Sequence, residues 1–373
     1  MTCRHLIAWG FAAMILTGAS VAAAESPETS PTPPASPRML EWHRLPDLPD
    51  ELGVAGPFVG VHNGALLVAG GANFPRPVWD TTKVWRDEVY ALTETSGSLA
   101  WSNAGRLPVS SGYGATVSTP DGVVCIGGND ATTTFSEVQL MQWNVDSRAL
   151  SIQKYPSLPQ PCAYAQAALI GEVIYLAGGQ SGLTLDTANS KLWTLDLSQR
   201  QHPDQFHWRA RGSTPWPTRA FHVVAAQHNG VEECLYVLSG RRQGVQGVEF
   251  LTDVWEFAPS TEQWRRRADI PRSVAAGTGI GWGDDRLLVL GGDDGRLFQR
   301  TDELKDQHPG FPRDVYFYLP AQDRWESAGE MPRNQVTTQA VQWGERVVLP
   351  TGEIRPRVRT PMVWSVRSPK TAN

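Results

Sequence analysis

The chain has 373 residues, with 33 Lys+Arg against 38 Asp+Glu and a formal net charge of −5. This acidic balance gives it no electrostatic reason to seek nucleic acid or an anionic membrane surface. With 41% hydrophobic and 19% charged residues it has ample apolar material for a core, which excludes disorder over most of its length.

The first residues read as an address. Arg4 and His5 precede an apolar run, Leu6 to Leu16, and small residues follow, ending Ala22-Ala23-Ala24 before Glu25. A basic start, a short apolar stretch and an A-x-A site make a cleavable secretory signal over residues 1–24. The run is too short to span a bilayer, which needs about 20 residues. A periplasmic or secreted protein is expected, with no membrane span after cleavage. Residues 25–40 carry five prolines among Ser, Thr and Ala and read as an extended linker. The folded domain is expected over 41–369. Of four cysteines, Cys3 leaves with the signal; Cys125, Cys162 and Cys234 remain, an odd number without a C-x-x-C.

One unit then repeats six times. Composition already favours strands: 35 Gly and 28 Pro break helices, and 15 Trp suit pleated surfaces. An apolar run ends in a Gly-Gly-like pair at Gly70-Gly71, Gly127-Gly128, Gly178-Gly179, Ser239-Gly240, Gly291-Gly292 and Thr351-Gly352. A short β-rich segment lies downstream of each pair, as at Asp87–Tyr90 or Asp253–Trp255. A Trp stands seven residues before a Pro at Trp42/Pro49, Trp101/Pro108, Trp208/Pro215, Trp264/Pro271 and Trp325/Pro332, and Ile152/Pro159 keeps the spacing. Each unit thus holds about four short strands, near the length of a kelch repeat. The pattern resembles kelch β-propellers, in which each four-stranded sheet is a blade. The first Trp/Pro strand precedes every Gly pair, and none comes after the last. The expectation is an all-β, six-bladed kelch-type β-propeller closed by an N-terminal strand at Trp42–Leu45, leaving no open edge.

Residues after the Gly pairs should face one mouth of the central channel: Asn73 (after Ala72), Asn129, Gln180, Arg241, Asp293 and Glu353. A ring of hydrogen-bonding groups suits a hydroxyl-rich ligand, although such residues also merely complete turns. In Thr351–Thr360 an acid is followed by Arg355, Arg357 and Arg359. Cations beside a carboxylate keep it ionised, and arginines grip a substrate carboxylate with two parallel hydrogen bonds. A charged loop tying the last blade to its neighbours would look the same.

The run Gly-Glu-x-Arg-Pro-x-x-Arg-Thr resembles the motif of the N-acetylneuraminate epimerase family, sialic acid mutarotases built on six-bladed kelch propellers. A second likeness covers Asp50–Gly60 and Leu66–Phe74. The two blades come in rotated order, as in cyclically permuted mutarotases. The resemblance implies a sugar mutarotase acting by general acid–base catalysis on N-acetylneuraminate or a related sugar, with no cofactor or metal. It implies Glu353 as general base, Arg359 as the arginine that holds the substrate carboxylate, and Arg355 in place of a family lysine. Repeat position adds Asn73, Asn129, Arg219, Arg241 and Arg333 as substrate-binding residues at the mouth. A copper-radical oxidase on a kelch propeller would need two His, two Tyr and a Cys near the axis, where Tyr113, Tyr164, Cys162 and a single His222 are candidates. A non-catalytic kelch propeller binding a glycan or protein would share the fold and have no use for Glu353.

Overall fold

Each Gly-pair strand is apolar at consecutive positions because both of its faces are buried. Leu66 and Val68 pack toward one neighbouring sheet, and Leu67 and Ala69 toward the other. Alternation therefore gives way to continuous hydrophobic runs. The computed structural model describes residues 40–369. They form six four-stranded antiparallel sheets. The first contains Phe58–His62, Ala65–Ala69, Glu88–Thr95 and Ser98–Arg106, ordered from the axis outward. The next four blades begin on the inside with Ala115–Thr119, Gln166–Ile170, Val223–His228 and Thr278–Trp282. The sixth begins with Val341–Trp343. The architecture is the expected six-bladed propeller.

The sixth blade takes its outermost strand from the other end of the chain. Glu41–Leu45 pairs with Val363–Arg367, from Glu41↔Arg367 to Leu45↔Val363. Leu40 is buried at the adjoining interface, so the folded domain takes in this residue, which the sequence pattern assigns to the linker. The signal over 1–24 and the rest of the proline-rich segment lie outside the described residues.

Six apolar clusters fill the six blade–blade interfaces. The recurring tryptophans do more than add area. Indole N–H groups of Trp101, Trp208 and Trp325 donate to the carbonyls of Pro46, Pro156 and Ala268 at 2.9, 2.8 and 2.9 Å. Each of these carbonyls lies just past the outermost strand of the preceding blade. The Gly pairs exist because the next blade starts against them: a Cβ on Gly127 would lie 2.1 Å from the Cys162 carbonyl oxygen. Where Ser239 and Thr351 replace the first glycine, they hold the same left-handed backbone at φ 58° and 50°. Their hydroxyls accept from the next blade, from Val274 N–H at 2.8 Å and Val54 N–H at 2.9 Å. Cys125, Cys162 and Cys234 are buried free thiols.

Candidate active site at the channel mouth

Six residues that open the blades, Gly56, Tyr113, Tyr164, Phe221, Ala276 and Thr337, all adopt positive φ. Their backbones close a ring around the axis. The amide of each donates to the carbonyl of the preceding blade's member, and Gly56 donates to Thr337, at 2.7–2.8 Å throughout. The side chains of Tyr113, Tyr164, Phe221, Ala276 and Thr337 form the floor of a cavity of about 360 Å³, within the size range of small-molecule sites.

The walls are built from the segments just after the Gly pairs. On blade one, Ala72–Asn73 pairs with Val84–Trp85; on blade four, Arg241–Gly244 pairs with Gly247–Phe250; on blade six, Glu353–Arg355 pairs with Val358–Arg359. Blade five instead carries a helical insertion around Thr301–Leu304. Lys83, Arg241, Asp293, His308, Glu353, Arg357 and Arg359 meet aromatic rings of Phe74, Phe298 and Phe311 there.

Glu353 is the most tightly held of these groups. Its Oε1 accepts from Arg359 Nη1 at 2.9 Å and from the Arg357 amide at 2.8 Å, and its Oε2 accepts from Thr337 Oγ1 at 3.2 Å. Arg359 sits directly across the two-stranded hairpin, where side chains face one another. Its other donors are engaged too, with the Ala72 carbonyl at 3.2 Å and Tyr113 Oη at 3.4 Å. Burial alone would lower the Arg359 pKa, but Glu353 and Tyr113 outweigh it, so the value lies above that of an ordinary arginine. The family resemblance assigns Arg359 to the substrate; the geometry assigns it to Glu353.

Two other guanidiniums have no carboxylate partner among the described residues. Arg241 stacks 4.0 Å over Phe221 and 5.2 Å from Phe298, and its buried Nε makes no hydrogen bond. Arg357 lies 5.1 Å from each of Phe74 and Trp79. Asp293, near Arg241, accepts from the Gly295 amide at 2.9 Å; burial raises its pKa against that hydrogen bond and the Arg241 charge. His308 Nδ1 accepts from the Gly310 amide at 3.0 Å, and burial lowers its pKa. With Nδ1 accepting, Nε2 is the ring nitrogen left to donate.

The remaining expected residues lie elsewhere. Arg219 is fully buried and pairs with Asp253 at 2.5 Å, so it is a structural ion pair and not part of the mouth. Arg333 is exposed and lines no part of the cavity. Asn73 is turned inward, donating to the Gly53 carbonyl at 3.1 Å. Its place in the repeat belongs to Ala72, which bridges Ala55 as Asn129 bridges Gly112. Asn129 is buried behind the floor and donates to Tyr164 Oη at 3.3 Å. Arg355 points away to pair with Asp306 of the helical insertion at 2.8 Å. Of the oxidase candidates, Tyr113 and Tyr164 stand side by side in the floor with ring centroids 4.9 Å apart, but His222 and Cys162 do not line the cavity: His222 Nε2 meets the Ala177 carbonyl at 2.9 Å, and Cys162 Sγ donates to the Gly178 carbonyl.

Lys83 and the floor residues Phe221, Ala276 and Thr337 were not among the expected site, Tyr113 and Tyr164 were expected near the axis only for an oxidase, and Arg357 only as part of the charged run. The floor had a signal: Gly56 to Gly71, Tyr113 to Gly128, Tyr164 to Gly179 and Thr337 to Gly352 are each 15 positions apart. Lys83 had none, since it stands in the blade-one arm at a position the repeat pattern does not mark.

A family model for N-acetylneuraminate epimerase matches residues 26–152. Over 232 residues the chain is 34% identical to N-acetylneuraminate epimerase of Haemophilus influenzae (strain 86-028NP), covering 56% of this chain and 58% of the relative. Over 124 residues it is 36% identical to the enzyme of that name from Yersinia pestis (strain Pestoides F), covering 28% and 30%. The chain thus spans a little over half the length of the Haemophilus influenzae relative. The solved structure of YjhT superposes with a TM-score of 0.62 at 14% identity, over 87% of this chain and 99% of that one. The chain is therefore a six-bladed propeller with a clear likeness to the N-acetylneuraminate epimerases.

Proposed function

We propose that this protein is a mutarotase for an acidic sugar of the N-acetylneuraminate type. The observation that carries the reading is Glu353. A carboxylate is fixed from three sides on the wall of a small-molecule cavity whose nearby guanidiniums, Arg241 and Arg357, have no carboxylate of their own among the described residues. The names of the similar proteins support the same substrate class.

Mutarotation opens a cyclic hemiketal to the keto form and closes it on the other face. A base takes the anomeric hydroxyl proton and an acid protonates the ring oxygen. Glu353 is the base, and its three donors aim it and keep it from turning away. Arg359 is a positioning residue acting through Glu353. Arg241 is the anchor for the sugar carboxylate, because a stacked guanidinium with open donors presents a ready fork to an anion. Tyr113 and Tyr164 each accept one hydrogen bond from the protein, from Arg359 and Asn129, so their hydroxyl protons remain for sugar oxygens.

The test is NMR exchange between the anomers of N-acetylneuraminate. Glu353→Gln keeps shape and removes the basic oxygen, so binding persists while catalysed exchange falls about 10²–10⁴-fold, the share of a lost general base. A folded Glu353→Gln as fast as wild type refutes the assignment and leaves a glycan-binding module in its place. The leader-like N-terminus supports export to the periplasm or beyond, which cell fractionation and N-terminal sequencing of the full chain would check.

A further inference from the structure

The mutarotase reading leaves the acid unassigned, and the cavity holds a group placed for that role. Lys83 stands on the arm of blade one, just before Val84–Trp85, and lines the cavity beside the floor residue Tyr113. Its ammonium lies 4.8 Å from the Tyr113 ring, 5.2 Å from Trp85 and 6.0 Å from Phe74. Among the described residues it has no ion-pair partner. A cation surrounded by rings and left without a carboxylate keeps its N–H groups for whatever enters the cavity.

The charged and titratable groups that face it are Tyr164 and Tyr113 from the floor and Glu353, Arg357 and Arg359 from the blade-six hairpin. The guanidiniums cannot give up a proton near neutral pH. Burial raises the phenols of Tyr113 and Tyr164, which makes them weaker acids. His308 Nδ1 accepts from the Gly310 amide, and Asp293 Oδ1 accepts from the Gly295 amide. Of the cavity's cations without an ion-pair partner among the described residues, Lys83 is the one able to release a proton.

We propose, resting on the mutarotase reading, that Lys83 is the general acid of the reaction, delivering its proton to the ring oxygen as Glu353 takes the anomeric one. In the opening step the anomeric O–H bond breaks to Glu353. The C–O bond to the ring oxygen cleaves as the carbonyl forms, and the Lys83 N–H proton moves to the departing oxygen. Closure on the other face reverses both transfers, so Lys83 recovers its proton and Glu353 returns its own. Burial lowers the Lys83 pKa, as do Arg359 and Arg357, against the raising effect of Tyr164 and Glu353. That brings the acid closer to working pH, where proton transfer is most effective.

The test compares wild type, Lys83→Arg and Lys83→Met by anomer exchange across pH, with thermal melting to check each fold. Wild-type kcat should fall at high pH with a midpoint below that of an ordinary lysine, as the acid form is lost. Lys83→Arg keeps the cation over the rings but holds its proton. KM should stay near wild type, kcat should drop about 10²-fold, the low end for a general acid, and the alkaline fall should vanish. Lys83→Met should regain rate with added primary amines in proportion to their concentration. If Lys83→Arg turns over like wild type, the side chain serves only as a charge and the proposal is overturned. If Glu353→Gln is inactive while both Lys83 variants keep the wild-type rate and pH profile, the acid lies elsewhere and the mutarotase reading survives. Wild type that accelerates no sugar overturns both.

Discussion

Removing the Arg241 guanidinium should separate anion anchoring from chemistry. The side chain is sandwiched by Phe221 at 4.0 Å and Phe298 at 5.2 Å, and its buried Nε has no partner. Burial lowers its pKa, countered by Asp293 and Glu353, yet neither acid approaches within ion-pair distance among the described residues. A substrate carboxylate therefore meets an uncommitted cation in a partly dry wall. A hydrogen bond to a charged group contributes about 1.5–3 kcal/mol, and about 1.4 kcal/mol is a tenfold change in affinity. Arg241→Ala should thus raise KM for N-acetylneuraminate by roughly 10- to 100-fold while changing kcat far less. Arg241→Lys retains the charge without the fork and should fall between. The assay is anomer exchange by NMR over a range of substrate concentrations, run in parallel on the sugar's neutral methyl ester. Wild type should prefer the acid, and Arg241→Ala should treat acid and ester nearly alike. A KM for the acid unchanged by Arg241→Ala, or an equal loss for acid and ester, refutes the anchoring role.

Two further outcomes concern stability. Deleting residues 1–48 strips Glu41–Leu45 from Val363–Arg367 and removes Leu40, Leu45 and Leu48 from their interfaces; the exposed edge should aggregate on size exclusion, and a soluble monomer with an unchanged melting profile would count against ring closure. Burial pushes the Asp253 carboxyl up, but the Arg219 hydrogen bond and charge outweigh it, so it sits below the usual carboxylate value. The pair's stabilisation is then complete above the unfolded value of about 3.9 and is lost as pH falls through the lower folded value. Asp253→Asn should cost about 3 kcal/mol at pH 7 by leaving buried Arg219 unpaired, with the gap to wild type closing toward pH 3 in urea unfolding. Equal midpoints at pH 7 would show that the pair contributes nothing.

The fold could be read from the chain because a propeller repeats its physics. Each Gly pair marks a backbone approach that recurs six times, each apolar run marks a strand buried on both faces, and the unmatched first Trp/Pro strand could close only the last blade. Glu353 was legible for a related reason: it comes directly after a Gly pair, and its neighbours in sequence are its partners in space, since the hairpin turns Arg359 back onto it. Position in a repeat did not say which way a side chain turns. Arg219 and Arg241 lie near the same blade edge, yet Arg219 finds Asp253 and is buried, while Arg241 meets Phe rings and, among the described residues, no carboxylate. The cavity also draws on irregular arms, one carrying Lys83 and one carrying His308, that no repeat predicts. Local pattern determines what every blade shares; tertiary packing decides which of the polar groups at the mouth are satisfied by the protein and which are left for a ligand, because that depends on the partners brought together by ring closure.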